Sequence, residues 1–119
     1  MKENIIKEKS FDFAVRVVNL YQYLNNEKKE FVLSNQLLRS GTVIGALVRE
    51  AEQAESKADF IHKLAIALKE ANESDYWIEL MYKTDYLTEK QYKSIKNDIT
   101  ELIKLLTSII KTSKKIVNC

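Results

Sequence analysis

The chain has 119 residues, 45% hydrophobic and 30% charged, with a formal net charge of +2. That is enough apolar material for one domain with its own core, and it excludes the disordered class. The absence of proline and the presence of only two glycines leave little from which to build hairpin turns, which excludes an ordinary sheet protein and points to an all-α fold.

The first residues, Met1-Lys2-Glu3-Asn4-Ile5-Ile6-Lys7, lack the apolar centre of a signal peptide. The longest apolar run, Val43 to Val48 with its glycine, is far below the ~18 residues of a membrane span. Cys119 is the sole cysteine, so no disulfide forms within the chain. These features predict a cytoplasmic protein with no membrane association.

Ser10 reads as the N-cap of a first helix over about 11–26, with Ala14, Val17, Val18, Tyr21 and Leu24 at helical spacing. A second helix, about 31–54, carries both glycines, Gly41 and Gly45. Glycine costs about 1 kcal/mol against alanine inside a helix, so a pair on one side marks a close approach of another backbone. Ile44 and Val48 share this packing region. Ser56 followed by Asp59 opens a third helix, about 57–83, and Thr88 with Gln91 forms a capping box before a fourth, about 89–115. The fourth helix repeats Tyr92, Ile95, Ile99, Leu102, Leu106, Ile109 and Ile116 in steps of three and four, interrupted at Ser113.

Four helices joined by short connections favour an antiparallel up-down-up-down four-helix bundle. Helix two spreads Val32, Leu33, Leu38 and Val43 beyond the ~100° stripe that one core needs, and helix three is similarly broad. This predicts homo-oligomerisation through helices two and three.

Catalytic and metal signatures are weak. A di-iron bundle needs Glu-x-x-His from each of two helices, and this chain has the single His62 in Asp59-Phe60-Ile61-His62. Neither a Ser/His/Asp nor a Cys/His constellation is recognisable, so no catalytic residue, metal ligand or cofactor is predicted. A metal or hydrolytic site would require several copies of His62 brought together between subunits. Glu70 and Glu73 share a face of helix three with Trp77 and are expected to pair with Arg39 or Arg49 at a helix or subunit contact rather than act as an acid/base pair.

Residues 91–119 hold six lysines against two acids, a local charge of +4. Lys93, Lys104, Lys111, Lys114 and Lys115 fall on the solvent side of the fourth-helix heptad, and Lys7, Lys9 and Arg16 of the neighbouring first helix could lie alongside. Repeated around an oligomer, such a stripe predicts weak, non-specific binding of RNA or DNA phosphates.

Ser34-Asn35-Gln36-Leu37-Leu38-Arg39-Ser40-Gly41-Thr42-Val43-Ile44-Gly45-Ala46 resembles a signature of the four-helix-bundle proteins first named for open reading frames within 23S ribosomal RNA intervening sequences. Asp59-Phe60-Ile61-His62-Lys63-Leu64-Ala65-Ile66-Ala67-Leu68-Lys69-Glu70-Ala71, then Glu73 and Tyr76-Trp77-Ile78-Glu79-Leu80, is similar to a second. Lys9-Ser10-Phe11 extends the likeness over nearly the whole chain, although Ala46-Leu47 stands where the family often has Ala-Asn. The resemblance implies an antiparallel bundle assembling into a homopentameric ring with no known catalytic activity. Relatives include the accessory variability determinant of diversity-generating retroelements, a basic pentamer that binds nucleic acid and a reverse transcriptase. The partners so implied are further copies of the chain, RNA or DNA, and a reverse transcriptase or other nucleic-acid enzyme, for which the chain would alternatively serve as a protein scaffold.

Overall fold

The computed structural model describes the backbone of residues 2–118 and the side chains of residues 4–115, so Cys119 and the side chains of Lys2 and Ile116 lie outside it. The described residues form four helices, α1 (Lys2–Glu27), α2 (Leu33–Glu52), α3 (Lys57–Lys83) and α4 (Glu89–Asn118), and no strand. Consecutive helices pack against one another and α1 packs against α4, whereas α1 and α3, like α2 and α4, stand on the diagonals without close backbone approach. The four therefore stand at the corners of an antiparallel bundle 51 × 21 × 20 Å in extent.

The first helix begins well before the predicted start. Ser10 is not an N-cap; it is buried inside α1, where its hydroxyl donates to the Lys7 carbonyl at 3.1 Å. The buried line runs Ile6, Ser10, Phe13, Val17 and Leu24, in steps of three and four or their sum. A serine is tolerated in that line because its hydroxyl bonds the preceding turn. The Ser10 hydroxyl also faces α2, 3.6 Å from where a Cβ on Gly45 would stand.

The two glycines of α2 thus face different things. Gly41 lies under Val17 and Phe13 side chains, and Gly45 under the Ser10 backbone. The close backbone approach expected of the pair is found at neither: the tight contact, at Gly41, is with a side chain, and the Ser10 backbone opposite Gly45 stands at an ordinary contact distance.

Between α1 and α2 the chain turns through Lys29, whose φ is 54°, and α2 starts at Leu33 because the Glu30 carboxylate takes up its first N–H groups. The start of α3 is capped by the Ser56 hydroxyl, which accepts from the Asp59 N–H at 3.0 Å. At α4, Thr88 and Gln91 bond each other reciprocally, at 2.9 and 3.1 Å.

Small residues bring α2 and α3 together: Ser40 faces Ser74, hydroxyl to hydroxyl at 2.9 Å and fully buried, with Ala67 and Ala71 on the same face of α3. The core runs the length of the bundle through Leu37, Ile44, Leu64, Ile78, Leu102 and Leu106. Most of the wide apolar surface of α2 and α3 is used internally. Leu47 and Val48 are buried, and Leu33, Leu38, Val43, Ile66 and Trp77 are half-buried against the core.

Candidate functional site

On the α2–α3 side, Arg39 reaches across to two carboxylates. One guanidinium nitrogen donates to Glu70 at 3.1 Å, the other to Glu73, and the Trp77 indole N–H donates to the same Glu73 carboxylate at 3.0 Å. The hydrogen bond to Glu73 raises the Arg39 pKa above its ordinary range. Glu73 is held below the usual carboxylate range, first by the Trp77 N–H and then by Arg39, against the opposing effect of burial. Tyr76 stands edge-on to Trp77, with ring centroids 5.0 Å apart, and is itself exposed. Glu70, Glu73, Arg39 and Trp77 thus form one satisfied network joining two helices. Gly41, Ile44 and Val48 belong to the buried face of α2, with Gly45 half-buried, and the two glycines face α1 rather than this network.

On α4, Lys104, Lys111, Lys114 and Lys115 are exposed, and none forms a salt bridge among the described residues. Helical spacing aligns Lys104, Lys111 and Lys115 on one outward line. Lys93 is exposed but paired with Glu89 at 3.2 Å one turn earlier.

Of the basic residues of α1, Lys9 and Arg16 do lie against α4 and Lys7 lies against α2, but all three are ion-paired. Lys7 pairs with Glu52 of α2 at 3.2 Å, Lys9 with Glu101 of α4 at 3.2 Å, and Arg16 with Asp98 while also donating to Ser94. Their charge is compensated by carboxylates that clamp α1 to its two neighbours.

Two features escaped the sequence reading. Lys96, counted only as part of the basic segment, is half-buried between α3 and α4, 2.6 Å from Asp75 and 3.6 Å from Glu79. Burial opposes its charge, yet the bond to Asp75 and the neighbouring Tyr92 and Glu79 raise its pKa. Tyr92 stacks on Tyr82 at 4.1 Å, and burial followed by its bond to Glu79 raises its own pKa. The four-residue offset between Tyr92 and Lys96 was the available signal.

The second is an exposed apolar line on α1: Phe11, Val15 and Val18. Its spacing of four and three was legible, but it was masked by the parallel buried line of the same helix. The guanidinium of Arg49 lies over the Phe11 ring, 5.3 Å from its centroid. His62 is exposed, and no cluster of three or more histidine, cysteine, aspartate or glutamate side chains suited to a metal occurs among the described residues. Nor is any described helix long and apolar enough to cross a membrane.

Four antiparallel helices around one apolar core, with lysines on the solvent side of the fourth and an Arg–Glu–Glu–Trp network between the second and third, define a four-helix-bundle protein. A family model for the 23S rRNA-intervening sequence protein matches residues 2–108, and the chain belongs to that family. Its fold is similar to the crystal structure of a protein of unknown function from the S23 ribosomal protein family of Bacteroides thetaiotaomicron VPI-5482. That likeness has a TM-score of 0.92 and 67% sequence identity, over 93% of this chain and 99% of the other. No curated protein matches the chain.

Proposed function

We propose that this protein is a non-catalytic, self-assembling four-helix bundle of the cytoplasm whose outer helix binds the phosphates of RNA or DNA weakly and without sequence preference. The observation that carries the reading is the set of four exposed lysines on the second half of α4, Lys104, Lys111, Lys114 and Lys115, which gather on one helix without salt-bridge partners among the described residues. Lysines presented in this way make point-charge contacts with phosphate, and such contacts accumulate when the helix is repeated in a homo-oligomer, for which a pentameric ring is the form proposed. None of the stripe positions is aromatic, so base stacking adds nothing and salt dependence is strong.

Fluorescence anisotropy of a labelled structured RNA and a DNA duplex, at low and physiological salt, tests this with the Lys104→Glu/Lys111→Glu/Lys114→Glu variant as control. Binding that weakens steeply with salt and disappears in the variant supports the reading. Absence of binding at low salt by an oligomeric protein would replace it with a protein scaffold, serving a reverse transcriptase or other nucleic-acid enzyme.

A further inference from the structure

Where the end of α2 meets the start of α3, two cavities lie back to back. One is a surface cleft of about 340 Å³, bordered by Ala51, Glu52, Ala54, Ser56, Lys57 and Phe60. The other is a void of about 10 Å³ inside the bundle, walled by Ile6, Val48, Leu64 and Ile109, one from each helix, with no polar surface facing it. An apolar void of this kind takes apolar groups in preference to water. Ala51, Glu52 and Phe60 border both cavities, so a single layer of side chains divides them. The large apolar member of that layer, Phe60, is only half-buried and packs against the core from its edge.

The charges at the cleft are not engaged alike. Glu52 is paired with Lys7 at 3.2 Å. Lys57 is exposed, enters no salt bridge among the described residues, and holds its ammonium over the Phe60 ring, 5.3 Å from the centroid. Glu50, Glu55 and Asp59 do not line the cleft. Glu50 pairs with Lys63 at 3.2 Å, and Asp59 accepts the Glu55 N–H at 3.3 Å, which leaves the exposed Glu55 carboxylate as the nearby acid without a salt bridge. The lining therefore joins one unpaired cation, at the positive end of the α3 dipole, to an aromatic floor with an apolar void beneath it.

We propose that this cleft binds a small amphipathic anion, an aliphatic carboxylate of medium chain length, with its carboxylate on Lys57 and its tail passing Phe60 into the void. The Phe60 ring turns aside as the tail enters, and the two cavities become one pocket with a charged mouth and an apolar interior, the usual make-up of a small-molecule site. Lys57 exchanges its contact with the ring for an ion pair. None of the α4 lysines takes part, so the site is separate from the proposed phosphate stripe.

Carbon-13 methyl NMR of isoleucine-labelled protein titrated with octanoate tests this, with hexanoate, 1-octanol and the Lys57→Gln variant as comparisons. The expected result is a saturable shift of the Ile6 and Ile109 methyl signals while that of Ile78, remote on α3, stays in place. Hexanoate should bind about tenfold more weakly, having two buried methylenes fewer. Lys57→Gln, at an exposed position and with helicity checked by circular dichroism, should weaken octanoate about threefold to fivefold, the worth of a partly exposed ion pair, and leave 1-octanol unchanged. No saturable shift in the wild type, a shift at Ile78 as large as those at Ile6 and Ile109, or equal affinity for hexanoate and octanoate would each overturn the buried tail. An octanoate affinity untouched by Lys57→Gln, or a loss shared equally by 1-octanol, would overturn the carboxylate contact and with it the proposed ligand class.

Discussion

Glu30 and Ser34 close on each other at the start of α2: the Ser34 N–H donates to Glu30 Oε1 at 2.7 Å, and the Ser34 hydroxyl donates to the Glu30 carbonyl at 2.9 Å. The other carboxylate oxygen accepts from the Val32 and Leu33 N–H groups, at 3.0 and 3.1 Å. A glutamate three to four residues upstream thus does the work usually given to an N-cap serine or aspartate, and its negative charge sits at the positive end of the helix. Glu30→Ala leaves the buried Ser34 N–H and the part-buried Leu33 N–H without their acceptor and should cost about 1–3 kcal/mol. Urea denaturation followed by circular dichroism measures this directly.

The two glycines should respond in opposite directions to the same change. A Cβ at Gly41 would lie 2.8 and 3.1 Å from the two γ-carbons of Val17, a fully buried side chain with one stiff torsion and no room to withdraw. Gly41→Ala should therefore destabilise despite alanine's better helix propensity, by about 1–2 kcal/mol after the two effects are set against each other. At Gly45 the nearest atom is 3.4 Å away, an ordinary contact, so Gly45→Ala should gain up to about 1 kcal/mol. The thermal midpoints of the two variants, on either side of the wild type, give the sign.

Stability should carry an acid limb through Glu73. Its folded-state pKa lies below the ordinary 4.5, so its contribution is fully present above that value and is lost as pH falls through the folded pKa. Trp77→Phe removes the hydrogen bond that contributes most to the depression, and the pKa should move back toward 4.5. The wild-type advantage over Trp77→Phe should be about 1 kcal/mol near neutrality and narrow as pH falls below about 4.5. Denaturant titrations of both proteins at a series of pH values test this; an advantage independent of pH would assign the effect to indole packing alone.

Much of the architecture was written in local signals. Thr88 and Gln91 announce the start of α4 because a threonine and a glutamine three apart satisfy each other's backbone donors, and Ser56 does the same for α3. Ser10 misled because a serine at a helix start and a serine inside a packed helix look alike in sequence. What distinguishes them is the facing Gly45, which is remote in the chain. The exposed lysines of α4 followed from heptad position alone, but the pairing of Lys7, Lys9 and Arg16 depends on Glu52, Glu101 and Asp98, which only the tertiary arrangement brings near. Likewise the breadth of α2's apolar surface suggested an outside partner. Two neighbouring helices consume most of it, and the exposed remainder lies chiefly on α1, at Phe31 and Val32, and at Tyr76.

The proposed phosphate binding resides in the lysines of α4 and not in the overall charge of the protein. Two variants with the same change in net charge decide it by nucleic-acid titration at low salt: Lys104→Gln/Lys111→Gln/Lys114→Gln, and Lys7→Gln/Lys9→Gln/Arg16→Gln. The first should lose binding and flatten the dependence of log affinity on log salt by roughly one per lysine that contacts phosphate, while the second should bind as the wild type does. Equal losses in the two variants, or a larger loss in the second, would contradict it.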